Sequence, residues 1–562
     1  MQDQLITLLK SAIAKAVEEG KLKKEANIPI VMEVPPQKDQ GDYATPLAFS
    51  LAKTQKQAPK NIASLLVSYL NPLLLPSAVH VTPIEKIEVA GAGYINFFIK
   101  KEYWHERLLE MLQFGSDYGK RNLYSGKKIL IEFVSANPTG PLHVAHGRAA
   151  ALGDTITRLL RAVGFSVEQE YYINDVGNQV TLLGQSVSLR YRELLGEAIT
   201  LPDESYKGDY IIDIAKAIKA AVPEETLKDY ETKHFGQFAL DTILSWIKQD
   251  LIVFGILFDN FFSEESLYQN KQVAEAIATL RANEMVYDAD GAVWVATTRY
   301  GDDKDRVVTR SNGEMTYFAS DIAYHKNKLE RGYDRLIDIW GADHHGYIAR
   351  VKAAVSALGY QADRLDIVIH QLVNLLRGGK PVAMSKRSGE FVTLKEVMEE
   401  VGVDATRFFF LMRRSDTSLD FDLELAKKAS DENPVYYVQY AHARLCSIFR
   451  VAKEQGRLVE KEIAGITKED LLVLAFPEEI GLIKQLAVYP DLVQSSAEKL
   501  EPHRVNYYLM DLAGLIHRYY FNCRVITDDA ALTKARFALI TAAQTILRSA
   551  LNLLGVSAPE RM

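Results

Sequence analysis

Two strand–loop–helix–strand runs constrain this chain more than anything else in it. Lys128–Val134 (KILIEFV) is an apolar, strand-forming stretch; a loop with Pro138, Gly140 and Pro141 follows, then a helical pattern to about Val163 and a second strand at Ser166–Tyr172. The same order returns with Arg335–Trp340 (RLIDIW), the loop Gly341–His345, a helix to about Leu358 and a strand at Leu365–His370. A strand that reaches its neighbour through a helix runs parallel to it, so the two runs predict an α/β core built on a parallel sheet. Such sheets bind ligands where strands end and helices begin. The loops after Glu132 and after Trp340 are therefore the first places to look for chemistry.

At 562 residues the chain has room for three or four domains. Residues 1–114 read as an α+β unit. Its first helix carries Leu5, Leu9, Ile13 and Val17 four apart, and its strands are expected at Ile30–Val34 and Ile87–Ile99. The polar stretch Gly115–Lys128 is a linker. A core over 126–376 follows, with a largely helical insert at about 185–290, then a connecting region at 377–432. From 433 to 562 the pattern is all helix, with apolar stripes in Val435–Arg450, Ile480–Val488, Arg504–Phe521 and Ala531–Leu554.

Composition removes several function classes. With 66 Lys+Arg against 73 Asp+Glu the formal charge is −7, which excludes a polycationic nucleic-acid binder but not a local basic face. Cys446 and Cys523 are the only cysteines, too few for a Cys-rich zinc site or a disulfide framework, so zinc is not expected and a reducing cytoplasm is. No run of about 18 apolar residues occurs, so no membrane partner is expected.

The densest group of reactive side chains is Glu132–Arg148, which holds His143 and His146 at the start of a helix. A helix N-terminus attracts phosphate through its free N–H groups and dipole, and two histidines three apart present both rings to one side. There is no G-x4-G-K-[ST] loop, so a nucleotide would be held differently. The pair also fits a helix cap, or a metal site completed by Asp343, His344 or His345. A second candidate is the Gly-rich segment Leu376–Val392, with Arg377, Lys380, Lys386 and Arg387, where a lysine could meet charge developing on pyrophosphate. On the first C-terminal helix, Tyr436, Tyr437, Tyr440, Arg444 and Arg450 interleave aromatic and basic groups, a pattern suited to unpaired bases and phosphate but also to a helical core.

Taken together these segments resemble the class I aminoacyl-tRNA synthetases. Pro-Leu-His143-Val-Ala-His146 resembles their first signature and Met384-Ser385-Lys386 their second. Glu132–Arg148, Tyr171–Gln179 (YYINDVGNQ), Tyr317–Asp321 (YFASD) and His517–Val525 (HRYYFNCRV) are similar to arginyl-tRNA synthetases in particular, as are Gly41–Phe49 and Ala90–Phe98 near the N-terminus. The resemblance implies a Rossmann-like catalytic sheet, an added N-terminal domain touching the tRNA elbow, and a C-terminal anticodon-binding bundle. It further implies a cytoplasmic, monomeric ligase of bacterial type that joins L-arginine to tRNA(Arg) with ATP and Mg2+, the first step requiring tRNA.

The same resemblance assigns residues. His143, His146 and Lys386 would be catalytic. ATP would meet these three together with Gly147, Gly341, Asp343, His344, Met384 and Ser385, with no resident metal. Arginine would meet Glu132, Ser135, Asn137, His143, Tyr317 and Asp321, and tRNA would meet Tyr436, Tyr440 and Arg444. The arginine assignment also has a physical basis: a guanidinium is planar and always charged, so a selective pocket needs carboxylates with aromatic or amide partners. Tyr317 and Asp321, four apart on a predicted helix, share one face. Two positions depart from the family pattern, Ala145 where the first signature has Gly and Ala383 where the second has Lys. They leave open a non-catalytic RNA-binding relative of the same fold.

Overall fold

A computed structural model describes residues 1–25, 28–35, 37–74, 82–227, 230–382 and 392–562. They form two compact units. One comprises Met1–Gln113, Val459–Ala487 and Val525–Leu539; the other comprises Phe114–Leu458, Val488–Arg524 and Ile540–Met562.

The core of the second unit is a five-stranded sheet: β1 (Lys128–Glu132), β2 (Ser166–Ile173), β3 (Asn260–Ser263), β4 (Arg335–Gly341) and β5 (Leu365–His370), in the order β5-β4-β1-β2-β3. Every pairing is parallel, with Ile129 opposite Arg335 on one side and Val167 on the other, and Gly341 opposite His370. The chain begins in the middle with β1, builds outward to β2 and β3, then returns to β4 and builds outward the other way. The direction of winding therefore reverses between β1 and β4, which opens a crevice beyond their carboxyl ends. Glu132 ends β1 and Gly341 ends β4, so both loops singled out above border that crevice.

Helix α1 (Val144–Ala162) joins β1 to β2 and is buried along most of its length. Ile156, Leu159 and Leu160 have no exposure, each worth about 1.5–3 kcal/mol of apolar burial. Helix α2 (Tyr317–Glu330) precedes β4, and α3 (Ile348–Ala357) joins β4 to β5. Beyond the sheet, α4 (Pro434–Glu454) and α5 (His503–Asn522) pack together in the same unit. Asn433 starts α4 by accepting from the Val435 N–H at 3.3 Å, with Pro434 at the first helical position, where a missing N–H costs nothing.

The last helix, α6 (Ala530–Leu553), ends on a fully buried guanidinium. Arg407 donates to the Leu554 carbonyl at 2.8 Å, to the Phe254 carbonyl at 3.0 Å and to the Asp154 carboxylate on α1. Gly555 follows with φ +67°, and a Cβ there would lie 2.3 Å from the guanidinium. Glycine meets both demands, the left-handed backbone and the close approach.

Some sequence expectations change. The helical insert contributes β3, a four-residue strand that completes the sheet and is too short to carry a periodic signal. Ile87–Ile99 is two antiparallel strands, Ile84–Ala90 and Tyr94–Ile99, folded at Gly91–Gly93. Ile30–Val34 is no strand; Glu33 alone bridges to Ala44, Pro29 and Pro35 withholding the amide donors a ladder needs. In the first helix (Gln2–Glu18) the buried stripe is Leu5, Leu9, Ala12 and Ala16 rather than Ile13 and Val17. A spacing of four advances about 40° per step around a helix of 3.6 residues per turn, and two steps carry Ile13 off the buried face.

Candidate active site

The turn that ends β1 is strained. Val134 and Ser135 both have positive φ, +68° and +39°, a conformation that a β-branched valine adopts only under constraint. The constraint is visible. The Ser135 hydroxyl donates to Glu132 Oε1 at 2.8 Å and accepts from the Tyr172 N–H at 3.1 Å, while the Tyr171 hydroxyl holds the Ala136 carbonyl at 2.7 Å. Asn137 donates to Gln179 at 2.9 Å, and Tyr210 from the insert holds the Thr139 carbonyl at 2.7 Å.

The structure directs Glu132 into the protein. Its carboxylate accepts from Lys328, a lysine with no exposure, which also donates to Asp338 at 2.8 Å. His325 completes the cluster, 3.0 Å from Asp338 and 2.8 Å from the Asp321 carbonyl. Burial raises the proton affinity of Glu132 against the pull of Lys328. For Lys328, burial would favour the neutral amine, but Asp338 and Glu132 outweigh it and keep the ammonium charged. Lys328 lies seven residues beyond Asp321, two helical turns along the same face of α2. It went unnoticed in the sequence because a lysine on an amphipathic helix reads as solvent-facing.

Beside this cluster is an acidic pocket with tyrosine walls. Asp321 accepts from the Tyr347 hydroxyl, and burial raises its proton affinity, with Tyr347, His325, His344 and Lys328 acting the other way. Glu264 is 1% exposed, bonds Ser320 and Tyr172, and has its proton affinity raised by burial and by the nearby Asp321 and Asp175. Tyr317, at the first turn of α2, is 56% exposed, and its hydroxyl is 3.1 Å from where a Gly177 Cβ would stand. Tyr317 and Asp321 thus share the face expected of them, and the Asn174–Gln179 segment stands beside it. Glu264 and Tyr347 are the additions; neither lies in a periodic pattern.

The first signature forms the start of α1. The His143 Nδ1 accepts from the Ala145 N–H at 3.3 Å, and the His146 Nδ1 accepts from the His143 N–H at 3.3 Å, so the pair caps the helix reciprocally. The rings stack with centroids 3.7 Å apart. Because each Nδ1 is an acceptor, each neutral ring carries its proton on Nε2, as a donor. Burial, with His143 and His370 nearby, pushes the His146 pKa well below its usual value. His370 ends β5; burial chiefly, then Arg148, brings its pKa down to about 4. It is a third imidazole that the sequence reading did not single out, although it closes a predicted strand.

Other assigned residues are less central to side-chain chemistry. At Gly147 a Cβ would lie 2.6 Å from Leu394 and 2.8 Å from Phe410, so this glycine lets helices pack. At Gly341 a Cβ would lie 2.6 Å from the Asp343 carboxylate, which is 3.5 Å from His344. Arg148 is buried and donates to the carbonyls of Gln371 and Arg414 at 2.8 and 2.9 Å. Arg377 is paired with Glu400 and Glu424. Met384, Ser385 and Lys386 lie outside the described residues, but the flanks are placed: the Val382 N–H meets the Leu375 carbonyl, and Thr393 bridges to His143. Among the described residues no three His, Cys, Asp or Glu side chains are arranged to hold a metal.

On α4 and α5, Arg444 is stacked between Tyr440 and Tyr520, 4.5 and 5.1 Å from their ring centroids, and bonds His517 at 2.9 Å. Tyr436 stacks on Tyr440 at 5.8 Å. Tyr520 is 42% exposed and Phe521 90%, so the helix pair presents aromatic and cationic groups to solvent. Among the described residues no helix is long and apolar enough to cross a membrane.

Comparison with known proteins covers the chain from end to end. Residues 3–99 match the family model of the arginyl tRNA synthetase N terminal domain, 108–419 that of the class I (R) tRNA synthetase catalytic domain, and 438–562 that of the DALR anticodon binding domain. The chain is 50% identical over 566 aligned residues to an arginine–tRNA ligase of Citrifermentans bemidjiense, and 45% identical to one of Desulforamulus reducens, covering 99–100% of each chain. The solved arginyl-tRNA synthetase of Thermus thermophilus superposes with a TM-score of 0.75 at 25% identity, covering 99% of both chains.

Proposed function

The chain belongs to the arginyl-tRNA synthetase family, joining arginine to tRNA with ATP, and from that premise we propose how its residues divide the work. The observation that carries the reading is the acidic pocket: buried Glu264 and half-buried Asp321 stand together among tyrosines, burial raises the proton affinity of both, and Asp321 raises that of Glu264 further. Two carboxylates held that way are stabilised by a guanidinium, which can meet both in plane. Arginine's side chain enters this pocket beside Tyr317, and its α-carboxylate faces the crevice near Asn137 and His143. Glu132 holds the wall from behind rather than the ligand.

ATP brings Mg2+ on its phosphates and lies against the start of α1. An arginine carboxylate oxygen attacks the α-phosphorus in line; the new P–O bond forms as the bond to pyrophosphate breaks. His143 and His146 donate from Nε2 to the phosphate oxygens as charge shifts toward the leaving group. Lys386 joins them from the segment whose far flank is bridged to His143. Gly341, Asp343 and His344 border the nucleotide at the end of β4. The 2′-hydroxyl of the terminal adenosine of tRNA then attacks the arginyl carbonyl and AMP leaves.

Tyr436, Tyr440 and Arg444 supply stacking and charge to unpaired anticodon bases, and the N-terminal unit meets the tRNA elbow. The protein works as a monomer in the cytoplasm. ATP–pyrophosphate exchange with each of the twenty amino acids, with and without tRNA, tests the reading. Exchange with arginine alone, and only with tRNA, is expected. Exchange with arginine regardless of tRNA would remove the gating, and none from folded protein would favour a non-catalytic RNA binder.

A further inference from the structure

Tyr347 stands in an unusual position within the acidic pocket. It closes the short turn Ala342–Tyr347 after β4, and its hydroxyl donates to Asp321 Oδ2 on a different element, α2. Its ring is fixed on three sides. Phe318 and Trp340 meet it edge-on with centroids 6.2 Å away, and the Arg350 guanidinium lies 4.5 Å from its centre. Arg350 also lies 5.9 Å from the Phe318 ring centre and hydrogen-bonds the Tyr347 side chain, so the tyrosine and this cation hold one another. A cation is thus kept one residue behind the acidic pocket.

We propose that Tyr347 is a positioning residue for arginine selection, its clamped hydroxyl fixing the Asp321 carboxylate in the orientation that receives a guanidinium, with Arg350 as its backing. The inference rests on the assignment of Asp321 to the arginine side chain. The geometry gives Tyr347 a role that a core tyrosine lacks: its ring is locked by neighbours outside the pocket, while its polar atom engages a carboxylate inside it. One Asp321 oxygen is taken by the hydroxyl, which sets the plane of the other.

The groups facing Asp321 are Tyr347 and His344 from the turn, His325 and Lys328 from its own helix, Glu264 and Tyr268 from the segment after β3, and Tyr172 from β2. Burial pushes the Asp321 carboxyl upward and the Tyr347 hydroxyl opposes that. Without the hydroxyl, Asp321 takes up its proton at higher pH, and a neutral carboxyl no longer pairs with a guanidinium. The acid limb of kcat/KM for arginine should therefore move to higher pH, while that for ATP stays.

The test compares Tyr347→Phe, Arg350→Met and Asp321→Asn with wild type in tRNA-supported pyrophosphate exchange, varying arginine, ATP and pH, with thermal unfolding recorded for each. Tyr347→Phe is expected to raise the arginine KM about tenfold, the loss of one hydrogen bond to a charged group, and to shift the acid limb upward. Its ATP KM should stay within about twofold, and Arg350→Met should move the same quantities less. An unchanged arginine KM and acid limb in Tyr347→Phe, with Asp321→Asn impaired, would overturn the proposal, as would equal losses toward both substrates. An Asp321→Asn enzyme with normal arginine KM would overturn the pocket assignment beneath it.

Discussion

Burial acts in opposite senses on the two sides of the crevice, driving protons off imidazoles on one and onto carboxyls on the other. On one side His143, His146 and His370 gather near buried Arg148; burial lowers the basicity of His146 and His370, with His143 and His370 adding at the first and Arg148 at the second. On the other, Glu264 and Asp321 gather among tyrosines, and burial raises their hold on protons, with Asp321 adding to the effect at Glu264. Between them Glu132, Lys328 and Asp338 satisfy one another. The outer two groups are electrostatically unfinished and the inner one is finished. Ligands of opposite sign complete the outer two, while the wall between keeps its shape whatever is bound.

Breaking the wall should cost most. Lys328→Met leaves two buried carboxylates facing each other, and removing one partner of such a cluster costs about 3–5 kcal/mol; chemical denaturation would read it as a lower midpoint. Next comes the imidazole side: His146→Asn should lower kcat about a hundredfold, with the arginine KM little changed, because its Nε2 donor serves the transition state. On the acidic side, Glu264→Gln should reduce kcat/KM for arginine about tenfold and spare ATP, and an equal loss for both would erase the distinction between the sides.

The smallest effect concerns pH and stability. His370 titrates near 4 in the folded protein against about 6.5 when unfolded, so its contribution is fully present above about pH 6.5 and fades as pH falls toward 4. Relative to His370→Gln, the wild type should lose about 1 kcal/mol between pH 7 and pH 5.5. Parallel denaturation curves for the two proteins at both pH values would exclude that linkage.

The sheet was legible because each of its four longer strands carries an apolar or aromatic stretch beside a helical pattern, and β5 falls on the expected residues, Leu365–His370. β3 was not, since Asn-Phe-Phe-Ser is a strand only by virtue of the edge that β2 offers it. In the pocket, Tyr317 and Asp321 were readable because helical spacing puts them on one face. Glu264, Tyr347 and His370 were not: each sits where a strand or turn ends, and their meeting depends on strand order. Glu132 was readable as important, but its partner Lys328 is 196 positions away.

The end of the last helix sets a rule about chain length. The Leu554 carbonyl and Gly555 are both fitted to Arg407, which in turn grips Asp154 in the signature helix. One residue inserted into the final turn would rotate that carbonyl by about 100° and bring a side chain against the guanidinium. Over generations the number of residues between that carbonyl and the glycine is thus held fixed. Sequence drift in this region should leave the count of residues around the glycine unchanged.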